Sequence, residues 1–247
     1  MRPLVRLPLG ALAEGEQLLD AAAAHYLTRV HRLGPGDPFV AFDPARALEA
    51  DARVAALEGP RVRVRCEALR PAALRPVRAL VVVQCVAKAD KLDAVVRDAT
   101  ELGATRFVPA LAERSQRRPA GGLCARLRRV AVEAARQCGR GDVPVVDEPR
   151  ALAAVVEELA PRGDAALGLC LEPSAAERLA ACARELGRAT SVALLVGPEG
   201  GFTPGERAHA RAQGYREVAL GPLVLRAETV CAAALGGLAA LGFAPFG

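Results

Sequence analysis

The spacing of apolar and polar residues divides the chain into two regions with different predicted structure. In the first region apolar residues alternate with polar ones, and the alternation is strict in Arg61–Cys66. Strict alternation is typical of a strand with one solvent-facing side. Further strands are predicted at Leu4–Leu7, Pro38–Phe42 and Ala47–Leu57, and a helix at Gln17–Leu33. Several short strands within about seventy residues predict a small β-barrel.

The second region contains longer apolar runs that alternate with helical stretches. Residues 71–76 are predicted to link a domain at 1–70 to a domain at 77–247. Such alternation is typical of an α/β fold with a parallel sheet covered on both faces. The predicted strands are Ala79–Ala87, Phe107–Leu111, Ala165–Leu171, Val192–Val196 and Glu217–Leu220. The predicted helices cover about 90–103, 121–138, 150–160, 175–187, 204–213 and 226–241.

Two strand-to-helix corners near the end of the chain are rich in glycine. The first corner is Leu195–Val–Gly–Pro–Glu–Gly–Gly–Phe–Thr–Pro–Gly–Glu206, which ends in a Thr-x-x-Glu capping box. The second corner is Leu220–Gly–Pro–Leu–Val–Leu–Arg–Ala–Glu–Thr229. Open α/β sheets bind ligands at the carboxyl ends of their strands, so the two corners together predict one small-molecule pocket. An ordinary turn explains the first corner equally well, and Glu228 with Thr229 fits a plain helix cap.

The charges in these corners restrict the kind of ligand. The first corner is neither a dinucleotide-binding Gly-x-Gly-x-x-Gly nor a phosphate-binding loop, and Glu199 in its turn would repel a phosphate. Backbone amides beside a carboxylate suit a ligand without phosphate, and a cationic one fits best. Arg226 directly precedes a helix, where a cation is unfavourable unless it faces a ligand or partner.

The composition is moderately basic and argues against disulfides, a zinc site and a membrane span. The net charge is +5, from 33 basic and 28 acidic residues, and all but two of the basic residues are Arg. Such a balance favours a polyanionic partner without establishing one. Seven cysteines without a Cys-x-x-Cys pair indicate free thiols in a reducing compartment and argue against disulfides and zinc. With no signal-peptide core and no long apolar run, we expect a soluble, cytoplasmic protein without a metal.

The corners and a series of upstream motifs resemble the 16S rRNA (uracil-N3) methyltransferase family, RsmE, of the SPOUT (α/β-knot) superfamily. The resemblance covers nearly the whole chain, and the order of the motifs makes it specific. The upstream motifs are His25–Leu33, Gly36–Asp37, Phe42–Asp43, Lys88, Lys91, Glu101–Gly103, Pro109, Glu113–Ser115, Glu133–Arg140 and Val143–Pro144. The second corner departs from the family's Gly-Pro-Arg-(Ile/Val)-Leu-Arg-Thr-Glu-Thr, because Leu223 replaces its first Arg and Ala227 its first Thr.

The resemblance implies a PUA-like, RNA-binding N-terminal barrel and a C-terminal domain with a trefoil knot. It also implies S-adenosylmethionine as the cofactor, bound in the knot, and a homodimer formed through the knotted domain. The cofactor residues carried over by motif are Leu171, Leu195, Gly197, Pro198, Glu199, Gly200, Gly201, Leu220, Gly221, Leu225, Arg226 and Ala227. Most of these contacts are expected to come from backbone groups, in keeping with the many glycines.

The implied reaction is methylation of N3 of a specific uridine in 16S rRNA, within the 30S subunit. Arg226 is the candidate that stabilises charge on the uracil carbonyls, and Glu199, Glu228 or water is the candidate proton acceptor. The candidate RNA contacts are Arg6, His25, Arg29, Arg32, Arg114, Arg136 and Arg140. Arg29 and Arg32 are expected to share a helix face; a second basic cluster runs from Arg114 to Arg140 and includes Arg117 and Arg118. A solvated surface is the alternative reading of these charges.

Two other functions stay open on the same scaffold. One is a non-catalytic RNA-binding or ribosome-assembly factor, which the changes at Leu223 and Ala227 favour. The other is methylation of a different RNA, such as tRNA.

Overall fold

The computed structural model describes residues 5–86, 89–115 and 121–246, with the side chains of residues 89, 90 and 227 left out. The chain forms two compact units, Met1–Arg75 with Ala135–Val143, and Pro76–Ala134 with Pro144–Gly247. The segment Ala135–Val143, predicted as part of the second domain, therefore clusters with the first unit. The predicted domain limits themselves stay a prediction.

The first unit is built on one mixed sheet, which among the described residues has six strands. Its order is β1-β3-β4-β5-β2, with β6 paired to β4. The strands are β1 (Arg6–Pro8), β2 (Gly15–Leu18), β3 (Pro38–Asp43), β4 (Leu48–Glu58), β5 (Arg61–Cys66) and β6 (Arg70–Pro71). Along β5 the valines and the cysteine are buried while the arginines are exposed or half-buried, as their alternation predicts. Closure into a barrel stays a prediction.

The predicted helix Gln17–Leu33 is wrong at both ends. Its first residues belong to β2, and the helix α1 (Ala21–His25) begins only after Asp20, whose carboxylate accepts a hydrogen bond from the Ala23 amide at 2.7 Å. A π-helical turn (Tyr26–Val30) follows α1. Arg32 lies beyond that turn with a left-handed φ of 56°. Arg29 and Arg32 therefore do not share one face of an α-helix, because the helix ends between them.

The second unit has a fully parallel sheet, as its apolar runs predict. The strand order is β10-β8-β7-β12-β11-β13, with β9 beside β8. The strands are β7 (Ala79–Cys85), β8 (Arg106–Leu111), β9 (Val145–Val146), β10 (Arg150–Ala151), β11 (Ala166–Leu171), β12 (Ser191–Val196) and β13 (Arg216–Val218). The helices are α2 (Ala89–Glu101), α3 (Leu123–Cys138), α4 (Leu152–Glu158), α5 (Ala183–Arg188), α6 (Pro204–Ala212) and α7 (Ala227–Ala240). The last four residues of α3 belong to the first unit. The two short strands β9 and β10 lack a strand pattern, so the sequence did not predict them.

The strand order brings the two corners to the same edge of the sheet. Strand β11 pairs with β12 on one side and with β13 on the other, all in parallel. The first corner follows β12 and the second follows β13, so both start at carboxyl ends that flank β11. A reversal of strand order of this kind opens a crevice in α/β sheets. The pocket is therefore a consequence of topology, and the trefoil knot stays a prediction.

All seven cysteines are free thiols, as predicted. Of the helices in the described parts of the chain, none combines the length and the apolar character that crossing a membrane requires.

Candidate functional site

The two corners and the end of β11 enclose a cavity of about 580 Å³. Small-molecule pockets are commonly about 300–1,000 Å³, so the cavity has the size of a cofactor site. Its walls are Leu171–Ser174, Val196–Phe202, Val218–Gly221 and Leu223–Arg226, joined by Lys91 and Val230. Much of the wall is backbone and apolar side chain, which suits a ligand with a large uncharged part.

The first corner is held by a dense set of hydrogen bonds. Thr203 caps α6 by accepting from the Glu206 amide at 3.2 Å, and the Glu206 carboxylate accepts from the Thr203 amide at 2.8 Å. This is the capping box that the sequence predicts. The other oxygen of Glu206 accepts from the amide of Glu113 at 2.8 Å, and Arg114 donates to the carbonyl of Gly200 at 2.8 Å. The turn is thus fixed before any ligand enters.

Gly197 leaves room at the start of this turn for the Phe202 ring, which packs against it. A Cβ atom built on Gly197 would be 3.3 Å from that ring, which is tighter than most van der Waals contacts. Phe202 itself is buried and packs into the core of the sheet. The glycine thus lets the loop fold back over the end of β12.

The second corner is held more loosely. Arg226 is the N-cap residue of α7 and its side chain makes no capping hydrogen bond. The side chains of Leu223 and Val224 are 74% and 82% exposed. One hydrogen bond resembles that of Arg114 in the first corner: Arg178 donates to the carbonyl of Gly221 at 2.8 Å. The corner therefore leaves apolar side chains open to solvent beside the cavity.

Glu228 does not act as the helix cap that its position in the first turn allows. Its carboxylate instead lies 3.6 Å from the Lys91 ammonium, which is also 3.3 Å from the Glu199 carboxylate. The three side chains are each about one-quarter exposed, at 28% for Lys91 and 27% for both glutamates. Lys91 thus connects the two corners, one carboxylate from each. Sequence reasoning missed Lys91 as a site residue, because nothing local shows that the start of α2 meets these loops.

Most residues proposed for the cofactor do line the cavity. Those that do are Leu171, Gly197, Pro198, Glu199, Gly200, Gly201, Leu220, Gly221, Leu225 and Arg226. Leu195 does not, because its side chain is only 1% exposed and packs inside the sheet core. Ala227 begins α7, and its side chain lies outside the described residues. Glu172 and Ser174 line the cavity without having been predicted, since nothing local marks the residues after β11. Phe202 also lines it and lies within the predicted first corner, although it is not among the residues assigned to the cofactor.

The candidate RNA residues fall into two groups. His25, Arg29 and Arg32 are exposed, and the first two line a second cavity of about 480 Å³ in the first unit. The other wall of that cavity is apolar and includes Leu57 and Val62.

The remaining candidates are engaged within the protein. Arg140 is only 1% exposed and pairs with Asp142 at 2.7 Å, so its assignment to RNA is wrong for this structure. A buried guanidinium without such a partner would be strongly unfavourable, and the pairing gives Arg140 a structural role. Three others have different partners: Arg6 pairs with Glu49 at 3.0 Å, Arg136 stacks on Tyr26 at 4.3 Å, and Arg114 holds Gly200. Arg117 and Arg118 lie outside the described residues.

Charged and titratable groups behind the cavity are structural. Arg207 lies between Glu217 at 2.8 Å and Glu172 at 3.6 Å. The hydrogen bond from Arg207 lowers the pKa of Glu217. Burial raises the pKa of the Cys170 thiol to about 12, so it stays protonated and unreactive at neutral pH. In the described parts of the chain, no three His, Cys, Asp or Glu side chains are grouped to hold a metal ion.

Comparison with known proteins gives consistent relatives over most of the chain. The family described as RNA methyltransferase domain matches residues 74–239. The ribosomal RNA small subunit methyltransferase E of Synechocystis sp. is 31% identical over 93% of this chain and 75% of its own length. The protein of the same name from Mycobacterium bovis is 35% identical over 91% of this chain and 86% of its own length.

A solved structure extends the likeness to three dimensions. It is a putative methyltransferase of Legionella pneumophila in complex with bound SAM, 26% identical to this chain. The two structures align with a TM-score of 0.85 over 97% of this chain and 98% of the other.

Proposed function

This chain belongs to the RNA methyltransferase family that includes the ribosomal RNA small subunit methyltransferases E, and from that membership we propose its reaction. The protein transfers a methyl group from S-adenosylmethionine to N3 of one uridine in 16S rRNA. The observation that carries the proposal is the cavity between the two corners. It lies within the region that matches the family and is lined by ten of the twelve residues assigned to the cofactor.

The cavity fits S-adenosylmethionine in size and in chemistry. Its glycine turns expose backbone groups that can bind the adenosine part, and its apolar walls cover an uncharged ring. Glu199 on the wall suits a cation and disfavours a phosphate-bearing cofactor. When bound, the cofactor supplies an electrophilic methyl group on a positively charged sulfur. The fixed first corner then places that methyl group with little movement of the loop.

Arg226 is the residue we assign to the uracil. Its side chain is exposed at the N-terminus of α7 and lines the cavity, where it can face an entering base. Uridine N3 must lose a proton as it is methylated, and negative charge then develops on the neighbouring carbonyl oxygens. A guanidinium stabilises that charge but cannot accept the proton, since it is always protonated. The acceptor is Glu199, Glu228 or a water molecule beside them.

The target uridine enters the cavity unpaired. Its N3 edge forms hydrogen bonds in a base pair, so the base has to be single-stranded or flipped out to react. We assign the first unit to binding the surrounding RNA, through the exposed His25, Arg29 and Arg32. We further propose that the substrate is the rRNA within the 30S subunit and that the protein acts as a homodimer. The exposed Leu223 and Val224 beside the cavity support a dimer, because a partner would cover them.

The RNA assignment predicts a separation of the two binding activities. Changing Arg29 and Arg32 together to Ala is expected to weaken RNA affinity about tenfold at low salt, because two phosphate contacts are lost. Cofactor affinity should be unchanged. Filter binding and calorimetry measure the two affinities, and Arg65→Ala on the solvent-facing side of β5 is the control. An equal loss of cofactor affinity would make these arginines structural.

The proposed reaction is tested by mapping the modified base. The protein is incubated with labelled S-adenosylmethionine and either unmodified 30S particles or bulk tRNA, and the labelled nucleotide is identified. Label at uridine N3 of 16S rRNA is the expected result. Label in tRNA would support the alternative substrate.

A non-catalytic RNA-binding factor is the competing function. Leu223, where the family has arginine, is 74% exposed at the mouth of the cavity and favours this alternative. Calorimetric titration separates the two, since such a factor would bind no cofactor even at millimolar concentration.

A further inference from the structure

Lys91 occupies a position where a cation is unfavourable on its own. It is the third residue of α2 (Ala89–Glu101), close to the positive end of the helix dipole. It is also one of only two lysines in a chain that otherwise uses arginine. Two carboxylates from distant parts of the sequence compensate for the unfavourable position, Glu199 at 3.3 Å and Glu228 at 3.6 Å.

The three side chains together carry one uncompensated negative charge. Lys91 neutralises one carboxylate, and the second leaves the cluster with a net charge of −1; of the three side chains, Lys91 and Glu199 line the cavity and Glu228 joins them through Lys91. The Glu228 oxygen that faces Lys91 at 3.6 Å is buried and has no hydrogen-bond partner among the described residues, so this carboxylate is incompletely satisfied. The methylated cofactor carries a sulfonium charge of +1, whereas the product after methyl transfer is a neutral thioether. The charge of the cluster thus complements the substrate form and not the product form.

We propose that Lys91 is a positioning residue that holds Glu199 and Glu228 as one cluster of net charge −1, and that this cluster sets the preference for the sulfonium cofactor over its thioether product. The inference rests on the proposed function, since it places S-adenosylmethionine in this cavity. It adds a specific role for three side chains and a physical reason for product release. Once the methyl group has left, the cluster has lost its counter-charge and the thioether is bound more weakly.

A lysine side chain suits the task of holding two carboxylates that come from different elements. Its ammonium is compact and has three donors, so it can contact carboxylates on two different elements at once. Without it, the two carboxylates that now share its ammonium would repel each other. Of the other charged groups on the cavity wall, Glu172 is bound by Ser174 at 2.7 Å and by Arg207, and Arg226 is the same in every variant compared below, so its charge does not alter the comparison.

The test compares the dissociation constants of S-adenosylmethionine and S-adenosylhomocysteine, measured by calorimetry without RNA. Glu228→Gln and Glu199→Gln each bring the cluster to zero charge, and each should reduce the preference for the sulfonium form about fivefold. Lys91→Met brings it to −2 and should raise the preference by about the same factor. Lys91→Arg should keep the wild-type preference, because the charge is retained.

The double variant K91M/E228Q restores the net charge of −1 and should return the preference to the wild-type value. A purely structural role of Lys91 would change both affinities by the same factor and would show no such restoration. Asp93→Asn is the matched control, since Asp93 lies on the same helix, pairs with Arg126 and does not line the cavity. Thermal melting identifies any variant that fails to fold. If Lys91→Met fails to fold, the two glutamate variants still test whether the preference depends on the charge of the cluster.

The outcomes separate this inference from the proposed function. Suppose that the wild-type protein binds the cofactor and methylates rRNA while the preference for S-adenosylmethionine over S-adenosylhomocysteine stays the same in all charge variants. That result overturns only the inference. If the wild-type protein binds no cofactor, both are overturned.

Discussion

The two glycine corners have the same plan, a strand followed by a turn and a helix, but they differ in how they are held. In the first corner a capping box, the amide of Glu113 and the guanidinium of Arg114 fix the turn. In the second, α7 starts without a side-chain cap and two apolar side chains project into solvent. Both corners nevertheless have a glycine carbonyl clamped by an arginine, Arg114 in one and Arg178 in the other.

The difference separates two tasks that one pocket has to perform. A fixed turn suits a ligand whose position must be the same in every cycle, because the ordering of the loop is completed during folding. An open corner suits a large partner that supplies missing contacts, whether RNA or a second subunit. We therefore assign the first corner to the cofactor alone, and the second corner to both the cofactor and the substrate side of the pocket.

The largest effect is expected from adding a branched side chain at the fixed corner. Gly197→Val pushes against the Phe202 ring, 3.3 Å from the new Cβ, and should lower cofactor affinity by about a hundredfold because the turn shifts. Gly221→Val in the open corner places its Cβ where no described atom lies within 4 Å. It should leave the melting temperature unchanged, whereas Gly197→Val should lower it. Equal melting temperatures for the two variants would remove the distinction between the corners.

Removing a hydroxyl from each helix start is expected to separate the corners in stability. Thr203→Ala loses the cap of α6 and should cost about 1 kcal/mol of unfolding free energy. Thr229→Ala removes an exposed hydroxyl that does not cap α7, so the change should be within about 0.5 kcal/mol. Urea denaturation measures both values. A cost at Thr229 as large as at Thr203 would show that the second corner is also capped.

A smaller effect on cofactor affinity is expected from the two arginines that each bind a glycine carbonyl, one in each corner. Arg114→Ala and Arg178→Ala each remove one hydrogen bond to a glycine carbonyl on the cavity wall. Arg114→Ala should weaken cofactor affinity only about threefold, because other bonds still hold that turn. Arg178→Ala should weaken it more, since fewer bonds hold the second corner. The dissociation constants test the ranking, and the reverse order would contradict it.

The smallest effect concerns acid stability at the base of the second corner. Arg207 lowers the pKa of Glu217, on strand β13, below its ordinary value of 4.5. A carboxyl group whose pKa is lower in the folded state stabilises that state above the ordinary pKa, and this stabilisation is lost as pH falls through the folded value. Glu217→Gln should therefore be less stable than wild type at neutral pH, and the gap should close below pH 4.5. Urea titrations across this range check the prediction, and a gap independent of pH would refute it.

The local pattern of apolar and polar residues predicts the strands whose burial is regular along their length, whether continuous or alternating. The apolar runs gave the parallel sheet, and the alternation of Arg61–Cys66 gave β5 with the observed limits. The helix Gln17–Leu33 was overextended because an apolar, alanine-rich stretch has no local sign of the β2 pairing that captures Gln17. Short strands such as β9 and β10 form because a neighbouring strand pairs with them. Each has only two residues, which is too short a pattern to predict a strand.

The site was predicted where it is continuous in sequence and missed where it is not. Gly197–Gly201 could be assigned to a pocket because strand, turn and cap follow each other. Lys91 could not, because its role depends on meeting Glu199 and Glu228 in space. Arg140 is predicted to contact RNA as one of a cluster of basic residues, and only the structure shows that it is buried against Asp142. Charge in a sequence indicates a partner but does not distinguish an internal one from an external one.

The order of strands in the second unit also determines when the pocket can form during synthesis. Strand β7 begins this unit, yet its neighbour in the sheet is β12, more than a hundred residues later in the chain. Helix α2, which carries Lys91, contacts α7 near the end of the chain. Contacts between such distant segments form slowly, since a long loop must close first. The residues up to α7 must therefore be synthesised before the pocket exists, and a growing chain that lacks α7 cannot bind the cofactor as a folding aid.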